Sequence, residues 1–207
     1  PEAYGEIAEL YLILNKVKEA QLYAMRALNL DKKNDKANHI MGCTYHLEGK
    51  ELVREVNKLH AQLNANIGPE FLDIYFRKKK RSEVLFLAAK AYFDSALKQK
   101  PDNVAYLIDS GNLQHELVRG FLIRSNREIS YNEKQQRIAL ERHKKAYRLK
   151  PSPRTLFFKV KSQLVGGEMH KALTDSLKIV NHPEYGPRWE AWEGKHRNLI
   201  QYYIHQN

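Results

Sequence analysis

Three side chains with ligand or nucleophile chemistry stand at helical spacing in this sequence: His39, Cys43 and His46, at i, i+4 and i+7. Residues so spaced share one face of a helix, and imidazole nitrogen with thiolate sulfur is a donor set that suits zinc. Distance argues against all three serving one ion, because seven residues of straight helix rise about 10 Å. The paired motif H-E-x-x-H is also missing from the sequence. We therefore expect no metal site and read the three as polar groove or partly buried side chains. As a nucleophile, Cys43 would need an adjacent base and an oxyanion site. His39 and His46 are near in sequence, but no turn exposes the sulfur, and cysteine is often a small buried residue. No phosphate loop, glycine-rich fingerprint or serine elbow occurs, so neither catalysis nor a cofactor is expected.

Charge marks a second kind of candidate. The formal net charge is +11, yet residues 1–69 balance nine Lys/Arg against nine Asp/Glu, so the excess lies wholly beyond them. Between Arg119 and Lys161 there are thirteen basic and three acidic residues. One end of the chain is close to neutral and the other is basic. The run Arg77, Lys78, Lys79, Lys80 and Arg81, with Arg137, Arg142, Lys144, Lys145, Arg148 and Lys150, has the charge to neutralise phosphates or to meet an acidic protein surface. A solvated helix face is the competing account, since Arg137, Lys144 and Arg148 share a side away from Ala139 and Ala146. Tyr131 and Tyr147 lie among the charges without forming a recognisable stacking motif.

The elements that position these residues are read as helices throughout. Tyr4, Ile7, Ala8, Tyr11 and Leu14 form an apolar stripe, Asn15-Lys16 breaks it, and Val17 to Leu28 resumes it, with Asp31 to Asn34 as connection. Asn38 to Leu47 reads as the next helix, with Glu48-Gly49-Lys50 as its turn and Gly49 as a left-handed stop. A partner helix over 51–64 follows, and Gly68-Pro69-Glu70 restarts the pattern with proline in a first turn. Beyond the basic run, Ser82 to Gln99 reads as a separate helix, and Asp102 to Gln114 opens another. The unit between Pro101 and Pro151 is sixteen residues too long for its neighbours, with the surplus placed between Leu117 and Glu133 as longer helices or a projecting loop. A hairpin from Thr155 to Val180 turns at Gly166-Gly167-Glu168, and an amphipathic helix over 187–206 is expected to cap the end.

The sequence also repeats itself. A shift of 34 residues carries Tyr4, Ile7, Ala8, Tyr11 and Ala27 onto Asn38, Met41, Gly42, Tyr45 and Ala61. Ala89, Phe93, Ala96 and Pro101 have the spacing of an A-x3-F…P element. In both respects the chain resembles the tetratricopeptide repeat family, closely over 1–47 and 84–112 and less so over 139–180. The resemblance implies an all-α solenoid of about five stacked helix hairpins, as one domain over 1–207. Its repeats would be 1–34, 35–68, 69–102, 103–152 with an insertion, and 153–186. Members of the family line a concave face with their first helices and hold a peptide or a partner's helix there, rarely with catalysis. Carried onto this chain, that groove takes Glu9, His39, Cys43, His46, Asn112 and His115. The subgroup that grips acidic C-terminal peptides does so with lysine, asparagine and arginine. Gly5, Glu9 and Cys43 stand at those places here, and a glutamate repels a carboxylate, so that activity is not expected.

The expected function is a non-catalytic protein-interaction scaffold, with a groove for a peptide or helix and a basic half for an acidic partner. A nucleic-acid-associated subunit and an accessory domain of a larger enzyme are the alternatives. One cysteine fits a reducing, cytoplasmic compartment. No run of about 18 apolar residues suggests a membrane span, and a start at Pro1 inside a helical pattern reads as a fragment.

Overall fold

Alanine and glycine decide how closely the helices of this chain approach one another. In the computed structural model, which describes residues 1–61, 68–120 and 126–180, Ala8 of α1 (Glu2–Ile13) and Ala20, Ala24 and Ala27 of α2 (Val17–Leu30) are fully buried. Methyl-sized side chains bring the two axes together, and larger rings close the flank. Tyr11 and Tyr23 stack there with centroids 5.3 Å apart. Asn15 takes a left-handed φ of 57° where the chain reverses, matching the polar break read from the sequence. Asn34 then accepts from the Ala37 amide at 2.8 Å, which satisfies a free donor at the start of the next helix.

The middle of the molecule departs from the expected pattern. Helix α3 (Asp35–Ala61) runs straight through Glu48-Gly49-Lys50, and α4 (Pro69–Gln99) runs straight through Arg77–Arg81 into Ser82. The two hairpins expected over 35–102 are therefore one pair of long helices, and the described residues hold eight helices in all. Gly49 does not stop its helix; it admits a ring. A β-carbon at Gly49 would meet Phe86 at 2.5 Å, and one at Gly42 would meet Phe93 at 2.6 Å. Gly42 and Gly49 stand seven residues apart on α3, as Phe86 and Phe93 do on α4, so two successive turns interlock in one antiparallel register. Gly68 and Pro69 begin α4 as the sequence suggested, with proline in the first turn.

Helices α5 (Val104–Gly120) and α6 (Asn126–Leu149) carry part of the surplus length as added turns, and Ser130 to Asn132 is helical; residues 121–125 of the expected surplus lie outside the described residues. Ser152 caps α7 (Pro153–Val165), accepting from the Thr155 amide at 3.2 Å, while the Thr155 hydroxyl accepts from the Ser152 amide at 3.0 Å. The turn before α8 (Met169–Val180) holds Gly167 at φ 77°, a left-handed conformation that glycine adopts without strain.

Each helix packs on the next in chain order, α1 also meets α3, and α3 meets α5. The core is accordingly segmental. One apolar group joins α1, α2 and α3 around Ala8, Ala37 and Met41, and a second joins α3, α4 and α5 around Phe93 and Leu113. Others gather at Leu107 with Ala146 and at Val160 with Ile179. Every regular element among the described residues is a helix, and none of these helices is long and apolar enough to cross a membrane. The capping helix expected over 187–206 lies outside the described residues.

Candidate functional site

A cavity of about 570 Å³ opens along the odd-numbered helices. Helical spacing explains its walls: Cys43, His46, Leu47 and Lys50 follow one face of α3, and Asp109, Asn112 and Glu116 follow one face of α5. Leu12 of α1 and Phe157, Phe158 and Lys161 of α7 complete it. Lys161 lies 3.5 Å from the Asn112 side-chain oxygen, and the apolar side chains occur at both ends of this row of helices.

Of the six groove residues expected from sequence, Cys43, His46 and Asn112 line the cavity directly. His39 stands beside it, stacked on Tyr106 at 4.3 Å between ring centroids. His39 Nε2 donates to Asp109 Oδ2 at 2.8 Å, and Cys43 Sγ lies 3.5 Å from that nitrogen and 3.9 Å from that oxygen. Glu9 is turned to Lys36, whose ammonium it binds at 2.8 Å together with Glu6 at 2.7 Å. His115 is buried at the α5–α7 contact, with Nε2 2.9 Å from Ser162 Oγ.

The Cys43, His39 and Asp109 arrangement invites comparison with a catalytic triad, and its geometry argues against one. In a triad one imidazole nitrogen faces the nucleophile and the other faces the carboxylate. Here Nε2 faces both. Burial pushes the Cys43 thiol well above its ordinary value, and the Asp109 carboxylate adds to the shift, the opposite of what an activated thiolate needs. His46 is also held neutral at ordinary pH: burial, with the Lys50 ammonium adding to it, takes it down to about 4. Its ring lies edge-on to Phe86 and Phe93.

A second histidine cluster ties three helices beneath the groove. Ser162 Oγ of α7 lies 2.5 Å from His143 Nδ1 of α6 as well as 2.9 Å from His115 Nε2 of α5. His143 Nε2 faces the Ile108 carbonyl at 3.2 Å, an acceptor only, so that nitrogen carries the ring hydrogen. Nδ1 is then bare and accepts from the Ser162 hydroxyl, whose oxygen in turn accepts from His115. Burial lowers His143 to about 4, which keeps this tautomer neutral. The ring, the hydroxyl and His115 are all buried, so the cluster has no face for a substrate.

The basic residues divide into two groups. Arg77 pairs with Asp73 one turn earlier, and Lys78 reaches Glu55 of α3 at 2.6 Å; Lys80 and Arg81 are exposed and Lys79 is half-buried. On α6, Arg142 binds Asp94 of α4 at 2.6 Å, Lys145 binds Asp102 at 2.7 Å, and Lys144 lies 3.5 Å from Glu141 and from Glu168. Arg137, Arg148 and Lys150 are exposed. Along α4, Arg81 and Asp94 are about 20 Å apart at 1.5 Å per residue. The two groups sit at separate heights, and about half of their cations are already matched by carboxylates.

Sequence reasoning missed Lys50, Asp109, Glu116 and Lys161 in the cavity. A usable signal existed for the α5 pair, because Asp109, Asn112 and Glu116 stand at i, i+3 and i+7. No protein-family model matches the chain, and no curated protein does either.

Proposed function

We propose that the protein is a non-catalytic interaction scaffold, a tetratricopeptide-like α-solenoid whose cavity along α1, α3, α5 and α7 holds a peptide segment or a partner's helix. The observation that carries the reading is the origin of the cavity walls: one helix of each consecutive pair contributes, and the alternate helices do not. Leu12, Leu47, Phe157 and Phe158 offer apolar surface, and the Asn112 amide has both a donor and an acceptor for a bound backbone. Lys50 and Lys161 face Asp109 and Glu116 across the same space, so a mainly apolar segment with an isolated acid fits better than an acidic run. The exposed Lys80, Arg81, Arg137, Arg148 and Lys150 then steer an acidic partner surface from outside.

Selection from a displayed peptide library, followed by fluorescence anisotropy on the selected peptide, tests this. Asn112→Ala is expected to weaken binding about tenfold, the loss of roughly one hydrogen bond with its buried partner, and Lys50→Glu is expected to weaken peptides carrying an acid. Failure to select any peptide, or a selected peptide indifferent to both changes, refutes the groove. Salt-dependent retention of RNA or DNA at micromolar protein would instead favour a nucleic-acid role for the basic surfaces.

A further inference from the structure

The sequence argument against a metal concerned three ligands on one helix, and the fold replaces one of them. His39 and Cys43 stay one turn apart on α3, His46 drops out, and Asp109 enters from α5. We propose that His39 Nε2, Cys43 Sγ and a carboxylate oxygen of Asp109 bind one zinc-class divalent cation in the wall of the groove.

Three observations support this. The first is convergence: a nitrogen, a sulfur and an oxygen lie mutually within 4.8 Å, whereas a hydrogen-bonded relay would spread over both imidazole nitrogens. The second is scale. Tetrahedral zinc with Zn–S of about 2.3 Å and Zn–N and Zn–O of about 2.0–2.2 Å sets its ligands about 3.6 Å (N to S), 3.4 Å (N to O) and 3.6 Å (S to O) apart. The distances here are 3.5, 2.8 and 3.9 Å. The N to O edge must open by about 0.6 Å and the S to O edge close by about 0.3 Å as the ion replaces the hydrogen bond. The third is support behind the ligands. Tyr106 stacks on the His39 ring, and its hydroxyl is fixed by Asp35 at 2.7 Å, so the imidazole is oriented by a residue one turn from Asp109.

Charge agrees with the choice of ion. A divalent cation with one thiolate and one carboxylate is neutral overall, which suits a site where His39 is only 14% exposed. Imidazole and thiolate together select borderline-soft ions over magnesium or calcium. On binding, the Cys43 thiol proton passes to solvent and the His39 hydrogen resides on Nδ1, leaving Nε2 to the ion. Cys43 and Asp109 both line the cavity, so the fourth coordination position faces the groove, open to water or to a donor of a bound segment.

Cobalt(II) titration of the chelator-stripped chain tests the proposal, with zinc(II) used to displace the cobalt. One equivalent is expected to raise a thiolate-to-cobalt charge-transfer absorption with tetrahedral visible bands, both lost on adding zinc. Cys43→Ser should abolish the charge-transfer absorption, and His39→Gln and Asp109→Asn should each weaken binding at least tenfold, while His170→Gln on the exposed start of α8 leaves it unchanged. Absence of the absorption from the unsubstituted chain overturns the proposal without reference to any variant. So does an absorption that survives both His39→Gln and Asp109→Asn. Neither readout depends on peptide binding, so the site and the groove stand or fall separately.

Discussion

Gly111 shows how much one missing methyl group can matter. A β-carbon there would run into His143 Nε2, and that ring is fully buried with both nitrogens engaged. Gly111→Ala would gain about 1 kcal/mol from helix propensity at an exposed site. Here the overlap outweighs it, and we expect a net loss of about 1–3 kcal/mol, read as a lower urea midpoint. A higher midpoint would mean that the ring yields. Residue types alone do not distinguish such a glycine from one that turns the chain, which is why Gly49 read as a helix stop. The discriminating signal was relational: the Gly42 to Gly49 interval equals the Phe86 to Phe93 interval. His39, Cys43 and His46 were legible from their spacing on one helix, and Asn112 only through the repeat resemblance. Asp109 gained its meaning only by meeting His39 from another helix, a relation that lies outside any local window of sequence.

At the scale of elements, the long α3–α4 pair carries the sharpest departure from expectation. Glu83 would stand in the first turn of a helix starting at Ser82, where proline is tolerated. In α4 it stands mid-helix, where proline removes a backbone hydrogen bond and clashes with the preceding turn, at a cost of about 3 kcal/mol or more. Glu83→Pro should therefore sharply lower the thermal midpoint and helical ellipticity; a variant as stable as the parent would restore the break at Ser82. The five consecutive cations of 77–81 repel one another within the helix. Asp73 and Glu55 relieve that repulsion for Arg77 and Lys78, and water screens the rest. Helix ends set by backbone chemistry were easier to read, as at Asn15, Pro69 and Gly167. The cap at Ser152 was signalled by Ser-Pro followed by Thr155, a pattern that places the α7 start two residues before Thr155.

For the whole molecule, the buried histidines couple stability to pH. His143 and His46 titrate at about 4 in the folded chain against about 6.5 when unfolded. The unfolded chain therefore takes up protons first as pH falls. Stability is fully present above about pH 6.5 and is lost as the pH drops towards 4, by about 3 kcal/mol for His143 alone, with His46 acting in the same direction. Urea midpoints at pH 7.5 and 4.5 measure this, and equal midpoints would contradict it. The all-helical class was legible at this scale because apolar and small residues recur at helical spacing. The division of the charge into two groups was not, since pairing with Asp94 and Asp102 depends on which helices meet. Ser162, placed between His115 and His143, has a mechanical consequence of its own. Its one hydrogen lets it serve the two rings in a single order, so sliding or rotating α7 by one residue takes that hydroxyl away from both. It works as an index mark, singling out one alignment of α7 on α5 and α6 among several that greasy surfaces alone would accept.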